Sequence, residues 1–104
     1  MYSRVTLLEM DTMRIDMSDA VALYEREVLP RLREQEGFEG VLVLVTPEGK
    51  GLLVTFWETE QEAADASGFA AGELDRYMTL FRAPPGREHY AVVHAELPER
   101  APVA

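Results

Sequence analysis

Residues 3–11, SRVTLLEMD, are rich in β-forming side chains and stay apolar at consecutive positions. That pattern predicts a strand buried on both faces. The loop after it reaches Asp16 or Ser18, either of which suits a helix N-cap. From there Met17, Val21, Tyr24, Val28 and Leu32 recur at spacings of three and four, with Glu25, Arg26, Arg33 and Glu34 off the stripe. This is one apolar side of an amphipathic helix. Pro30 falls inside it, removes an amide donor, and predicts a kink or a second short helix. Gly37 is placed to supply a left-handed C-cap.

Residues 40–58, GVLVLVTPEGKGLLVTFWE, predict a β-hairpin with Pro47, Glu48, Gly49 and Lys50 at its tip. A tight Glu48-Gly49 turn sets Thr46 opposite Gly51 and Leu42 opposite Thr55, so Leu44, Leu53 and Trp57 share a face. Val41, Val43, Val45, Leu52, Val54 and Phe56 take the other face. An odd-length loop shifts this register and exchanges the faces of one strand.

Thr59 to Glu62 has the form of a capping box and opens a helix directly after the hairpin. Ser67-Gly68 and Gly72 predict that this helical region is in two pieces, the second carrying Leu74, Tyr77, Met78 and Phe81 on one side. RAPPG then stops it, and residues 88–96, EHYAVVHAE, form a last strand. The tail, residues 98–104, holds two prolines and no periodicity, which predicts a flexible end to a single domain over residues 1–97.

Strand, helix, strand, strand, helix, strand is the order of two split βαβ units. It predicts an α+β, ferredoxin-like βαββαβ fold, a four-stranded antiparallel sheet with its helices on one face. The hairpin is apolar on both faces, yet helices cover only one. The other face requires a cover, and a second copy of the chain supplies one, so a homodimer with sheets face to face is expected.

Composition narrows the partners. Nineteen acids against 10 bases give a net charge of −9, a field that repels a phosphate backbone. The densest basic stretch, Arg31 and Arg33, alternates with Glu34 and Glu36 as a solvated helix face does. No nucleic-acid partner is expected. No cysteine is present, which removes disulfides, thiolate metal sites and thiol catalysis. Without a visible signal peptide or a membrane-spanning apolar run, the expected location is cytoplasmic, with no membrane partner.

The element order, with a strand running into FWETEQEAADAS and a close on REHYAVVHAE, resembles the antibiotic biosynthesis monooxygenase family of dimeric α+β barrels. EGFEGVLVL, residues 36–44, is similar to that family's passage from helix to strand. The resemblance spans about residues 3–96. The family includes cofactor-independent oxygenases of aromatic polyketides, haem-degrading oxygenases and many members with no known activity, so the resemblance implies oxygenation of a small apolar, polyketide-like substrate, haem degradation or neither. Trp57 matches a tryptophan at the end of the third strand, near the cavity of the polyketide oxygenases. Their strand asparagine is replaced here by Leu53, and the chain contains no asparagine at all. The haem-degrading pattern of asparagine, tryptophan and histidine meets apolar strand residues, Ala66 and Tyr77. The resemblance therefore points away from haem, and neither a cofactor nor a metal is expected.

For such chemistry a dry pocket, a base and a donor to the developing enolate are needed. His94 on the last strand, sharing a face with Tyr90 and Val92, is the candidate base, with Tyr77 or Tyr24 as the donor. Trp57, Tyr24, Leu53, Phe81 and Arg82 are the candidate pocket residues. A lone tryptophan ending such a strand is more often a core or dimer-interface anchor than a reactive group, and Trp57 is expected to be one. Arg82 and Arg87 fit either a clamp on an acidic group or rim salt bridges. The rival to a cofactor-independent monooxygenase is a non-catalytic homodimeric module that binds a small hydrophobic ligand or is purely structural.

Overall fold

The computed structural model describes residues 1–97, apart from the side chains of Pro84, Pro85, Arg87 and His89. The tail expected over residues 98–104 lies outside the described residues. Strand β1 (Tyr2–Met10) leads to helix α1 (Met17–Glu27) and the short helix α2 (Leu29–Leu32). Strands β2 (Phe38–Val45) and β3 (Lys50–Trp57) form the hairpin, and helix α3 (Glu60–Asp75), a 3-10 turn (Met78–Leu80) and strand β4 (Phe81–Ala91) follow. The sheet is antiparallel in the order β2-β3-β1-β4. Ferredoxin-like order places the first and third strands at the centre, and the chain obeys it.

Local chemistry explains most boundaries. Asp16 caps α1 by accepting the Asp19 N–H at 2.8 Å, so of the two candidate caps Asp16 serves and Ser18 does not. The break between α1 and α2 falls at Val28, and Pro30 stands in the first turn of α2, where its missing N–H costs nothing. Thr59 accepts the Glu62 N–H at 3.1 Å and its hydroxyl donates to the Glu62 carboxylate at 2.9 Å. Gly37 is left-handed (φ +82°), but α2 has already ended at Arg33 in ordinary helical geometry. Gly37 instead turns the chain into β2, where an added Cβ would collide with the Glu62 carboxyl group.

The hairpin register differs by one residue from the tight-turn expectation. Thr46 pairs with Lys50 across a three-residue loop, its N–H donating to the Lys50 carbonyl at 2.8 Å. Gly49 takes φ +104°, the left-handed residue such a loop needs. The pairs are Val45 with Gly51, Val43 with Leu53 and Val41 with Thr55. Val41, Val43 and Val45 therefore share the inner, helix-facing side with Leu53, Thr55 and Trp57. Leu42 and Leu44 join Leu52, Val54 and Phe56 on the outer side. A side chain at Gly49 would meet the Met10 carbonyl at 2.6 Å, and the Gly49 carbonyl accepts the Met10 N–H at 2.7 Å. The hairpin tip is thus sewn to the end of β1.

Two further elements differ from expectation. Helix α3 runs unbroken for 16 residues through Gly68 and Gly72, which sit on its outward side with open space where a Cβ would be. Packing of the opposite side outweighs the glycine penalty. Strand β4 begins at Phe81 and takes in RAPPG, ending at Ala91 rather than running over 88–96. Pro84 and Pro85 fall where its register against β1 slips, between Ala83 opposite Glu9 and Gly86 opposite Leu7. An edge strand tolerates prolines there because its outer amides have no ladder to complete.

The core is built around Trp57, which is 1% exposed and packs with Leu32, Ala63 and Ala66. The two alanines let α3 approach the indole, and Phe38 meets it edge-on at 5.7 Å between ring centres. Its N–H donates to the Thr55 hydroxyl at 2.8 Å, and that hydroxyl donates to the Arg4 carbonyl at 3.4 Å. Trp57→Ala should therefore destabilise the fold by about 3–5 kcal/mol in denaturant titration. Trp57→Phe, which fills most of the volume but leaves Thr55 without its donor, should cost roughly 1–3 kcal/mol. An alanine variant as stable as the wild type would contradict the assignment of Trp57 as the core anchor.

Candidate functional site

Between the inner face of the sheet and the helices lies an apolar cavity of about 70 Å³. Val43, Val45 and Leu53 form its floor, Met17, Val21 and Tyr24 of α1 form one wall, and Leu74, Tyr77, Leu80 and Phe81 the other. The odd hairpin loop brings the three β2 valines to this side. A drug-sized ligand needs roughly 300 Å³, so the cavity takes a larger molecule only if its walls move. Among described hydrogen bonds and ion pairs of α1 side chains, all are within α1 or to its own cap. Met10 and Met17 in the lining are deformable.

Tyr77 is the informative polar group. Its hydroxyl is buried with no hydrogen-bond partner among the described residues, a state that costs on the order of 1–3 kcal/mol. The ring is fixed by Arg76, whose guanidinium lies 5.5 Å from the ring centre and is held by Glu73 at 3.3 Å. Tyr24, opposite, has its phenol pushed up to about 12 by burial, with the Arg4 charge pulling the other way. It is a neutral phenol at physiological pH.

Past Tyr24 lies a second, smaller cavity of about 40 Å³ lined by Arg4, Thr6, Thr55 and Glu73 as well as apolar residues. Arg4 is 4% exposed on the inner face of β1. Its Nη1 donates to Thr6 at 3.1 Å and its Nε to Ser67 of α3 at 3.3 Å. The buried Glu73 carboxylate accepts from Arg31 of α2 and from Arg76, tying α2 to α3. Sequence reasoning missed this polar layer. An arginine inside a strand reads as a surface residue, and only alternation from Trp57 through the Tyr2 and Arg4 pairings places it inward.

Of the residues singled out in the sequence, the structure brings Tyr24, Leu53, Tyr77 and Phe81 together around the cavity. Trp57 is elsewhere, in the core at the far end of β3. Arg82 is exposed and pairs with Glu9 at 3.4 Å, a rim contact rather than a clamp. His94 is exposed beyond the end of β4. No strand fixes it on a face with Tyr90, because the pairing with β1 has ended at Ala91. Among the described residues there is no group of acids or histidines able to hold a metal ion. No described helix is long and apolar enough to cross a membrane.

The sequence matches no protein-family model and no curated protein. The fold matches several solved structures. A protein of unknown function from Nitrosomonas europaea superposes with a TM-score of 0.71 at 20% identity, over 95% of each chain. The ActVA-Orf6 monooxygenase of Streptomyces coelicolor, solved with nanaomycin D, gives 0.70 at 21% identity over 94% of this chain and 92% of that one. A haem-degrading protein of Mycobacterium tuberculosis gives 0.57 at 16% identity over 92% and 99%. At these identities the likeness concerns architecture: the chain has the antibiotic biosynthesis monooxygenase-like α+β fold.

Proposed function

We propose that the chain binds a small aromatic molecule in the cavity between sheet and α1, and that it is a cofactor-independent monooxygenase acting as a homodimer. The observation that carries this reading is the Tyr77 hydroxyl, a buried donor without a partner among the described residues, on a residue that lines the apolar cavity. Stable folds satisfy such groups, and those left orphaned are candidates for a ligand contact. Tyr24, Leu53 and Phe81 supply the apolar contact, and Tyr77 donates to a ligand oxygen. The fold shared with a monooxygenase structure supports the choice of reaction. The dimer is supported by the outer sheet face, where Leu7 and Leu44 are 45% and 52% exposed and Tyr90 is exposed further along the same face.

In this reaction an ionised phenol or enol gives its electrons directly to molecular oxygen. One oxygen atom enters the ring and the other leaves as water, so a phenol becomes a quinone and no separate reductant is required. The protein's part is to hold the ring, exclude water and donate to the developing oxyanion. His94 has no part in this proposal, since it lies outside the cavity. The second reading, a binding module without catalysis, is favoured by the cavity lining, which among the described residues includes no carboxylate or imidazole base.

The test substrate is 1-naphthol, with no cofactor added. Oxygen uptake with formation of 1,4-naphthoquinone supports the oxygenase; saturable binding without uptake supports the module; no binding contradicts both. Tyr77→Phe separates ligand contact from structure. Removing an orphan hydroxyl should raise unfolding stability by about 1 kcal/mol, while weakening 1-naphthol binding about tenfold. A Tyr77→Phe protein that is less stable than the wild type, with unchanged binding, would contradict the role given to this hydroxyl.

A further inference from the structure

No described residue lining the larger inner cavity bears a formal charge, and its oxygen-bearing side chains are those of Tyr24 and Tyr77. The Tyr77 hydroxyl has no partner among the described residues. We infer that the cavity admits electrically neutral ligands, excludes anions, and selects among neutral molecules for one acceptor oxygen of the ketone or quinone kind. This deepens the binding function proposed above and rests on it. It concerns the ligand as it enters, and not the oxygenation.

Exclusion of anions follows from what an ion would meet. A charge leaves water without a large penalty only where another group replaces the lost solvation. Val43, Val45, Leu53 and Leu74 replace none of it. The arginines beside lining residues in the chain are already engaged and half exposed. Arg76, next to Tyr77, holds the buried Glu73 carboxylate at 3.3 Å, and Arg82, next to Phe81, holds Glu9 at 3.4 Å. Turning either inward would break its pair and strip its water. Tyr24 shows how the wall treats an oxyanion. Burial pushes its phenol up to about 12 even though the Arg4 charge pulls the other way. An ionised oxygen of a ligand laid against that wall meets the same burial.

Selection for one acceptor follows from Tyr77. Its hydroxyl can donate one hydrogen bond. A hydrocarbon leaves that donor unpaired, whereas a carbonyl oxygen accepts it and is itself satisfied. A second polar group on the ligand would lie against Val43, Leu53 or Leu74, lose its water and gain no partner. The ligand class is therefore an apolar body with a single neutral acceptor at the Tyr77 end.

Three naphthalenes that differ in one trigonal substituent test the inference: 1-acetonaphthone, a neutral acceptor; 1-isopropenylnaphthalene, neutral without an acceptor; and 1-naphthoate, an anion. Calorimetric titrations are run at neutral pH in about 1 M salt, which screens the general field of the net charge of −9. Wild-type protein should bind the ketone about tenfold more tightly than the alkene. Naphthoate should bind at least about tenfold more weakly than the alkene. In Tyr77→Phe the ketone should fall to the level of the alkene, with naphthoate still the weakest. Naphthoate that binds as tightly as the alkene overturns the exclusion of anions and leaves the cavity reading standing. Equal binding of ketone and alkene by the wild type, or a ketone preference that survives Tyr77→Phe, overturns the selection for an acceptor. If none of the three binds, the cavity reading falls and the inference with it.

Discussion

A three-residue loop decides what each face of the sheet does. Pro47, Glu48 and a left-handed Gly49 set Thr46 against Lys50, and a shift of one residue would exchange every side chain of β2 between the two sides. In the observed register Val41, Val43 and Val45 turn toward the helices, and Leu42 and Leu44 turn away. The valines are short enough to leave space beneath α1, and that space is the cavity. The leucines make the outer face apolar. Cavity and exposed face are therefore two consequences of one turn, and the Gly49 carbonyl locks the choice by pairing with Met10.

The inner side is graded along its length. At the Trp57 end, the indole, Phe38 and the alanines of α3 pack without an orphan polar atom, because Thr55 relays the indole N–H to the Arg4 carbonyl. In the middle, Arg4 and Thr6 form a polar layer bridged to Ser67. At the hairpin-tip end, apolar walls surround the Tyr77 hydroxyl. Packing is densest at the Trp57 end, and the hydroxyl with no partner among the described residues, that of Tyr77, belongs to the cavity end.

Local signals in the sequence were legible where one residue determines one feature. The Thr59 cap, a cap for α1 at Asp16 or Ser18, the helix break that Pro30 causes and the strand-helix order follow from such residues, and the order identifies the fold. Features set by competition between distant segments were not legible. Gly68 and Gly72 read as breakers, but they face solvent on a helix whose other side is packed. RAPPG reads as a stop, yet β1 recruits it as an edge strand. That misreading also moved His94 onto a strand it does not join. Tyr24, Leu53, Tyr77 and Phe81 were found because helical and strand periodicity aims them inward. Arg4 was missed because only the final pairing with Thr55 shows which way β1 faces.

The account turns on the sheet having two apolar faces, the inner one covered by helices and the outer one, as proposed above, by a second copy of the chain. Leu44 lies on the outer face, half exposed and away from cavity and core. Sedimentation equilibrium at micromolar concentration measures the claim directly, with Leu44→Glu as the control. The wild type should sediment at twice the chain mass of 11.7 kDa, and Leu44→Glu should shift it to the monomer while circular dichroism shows the fold retained. A wild-type protein that stays a stable monomer under these conditions would contradict the account.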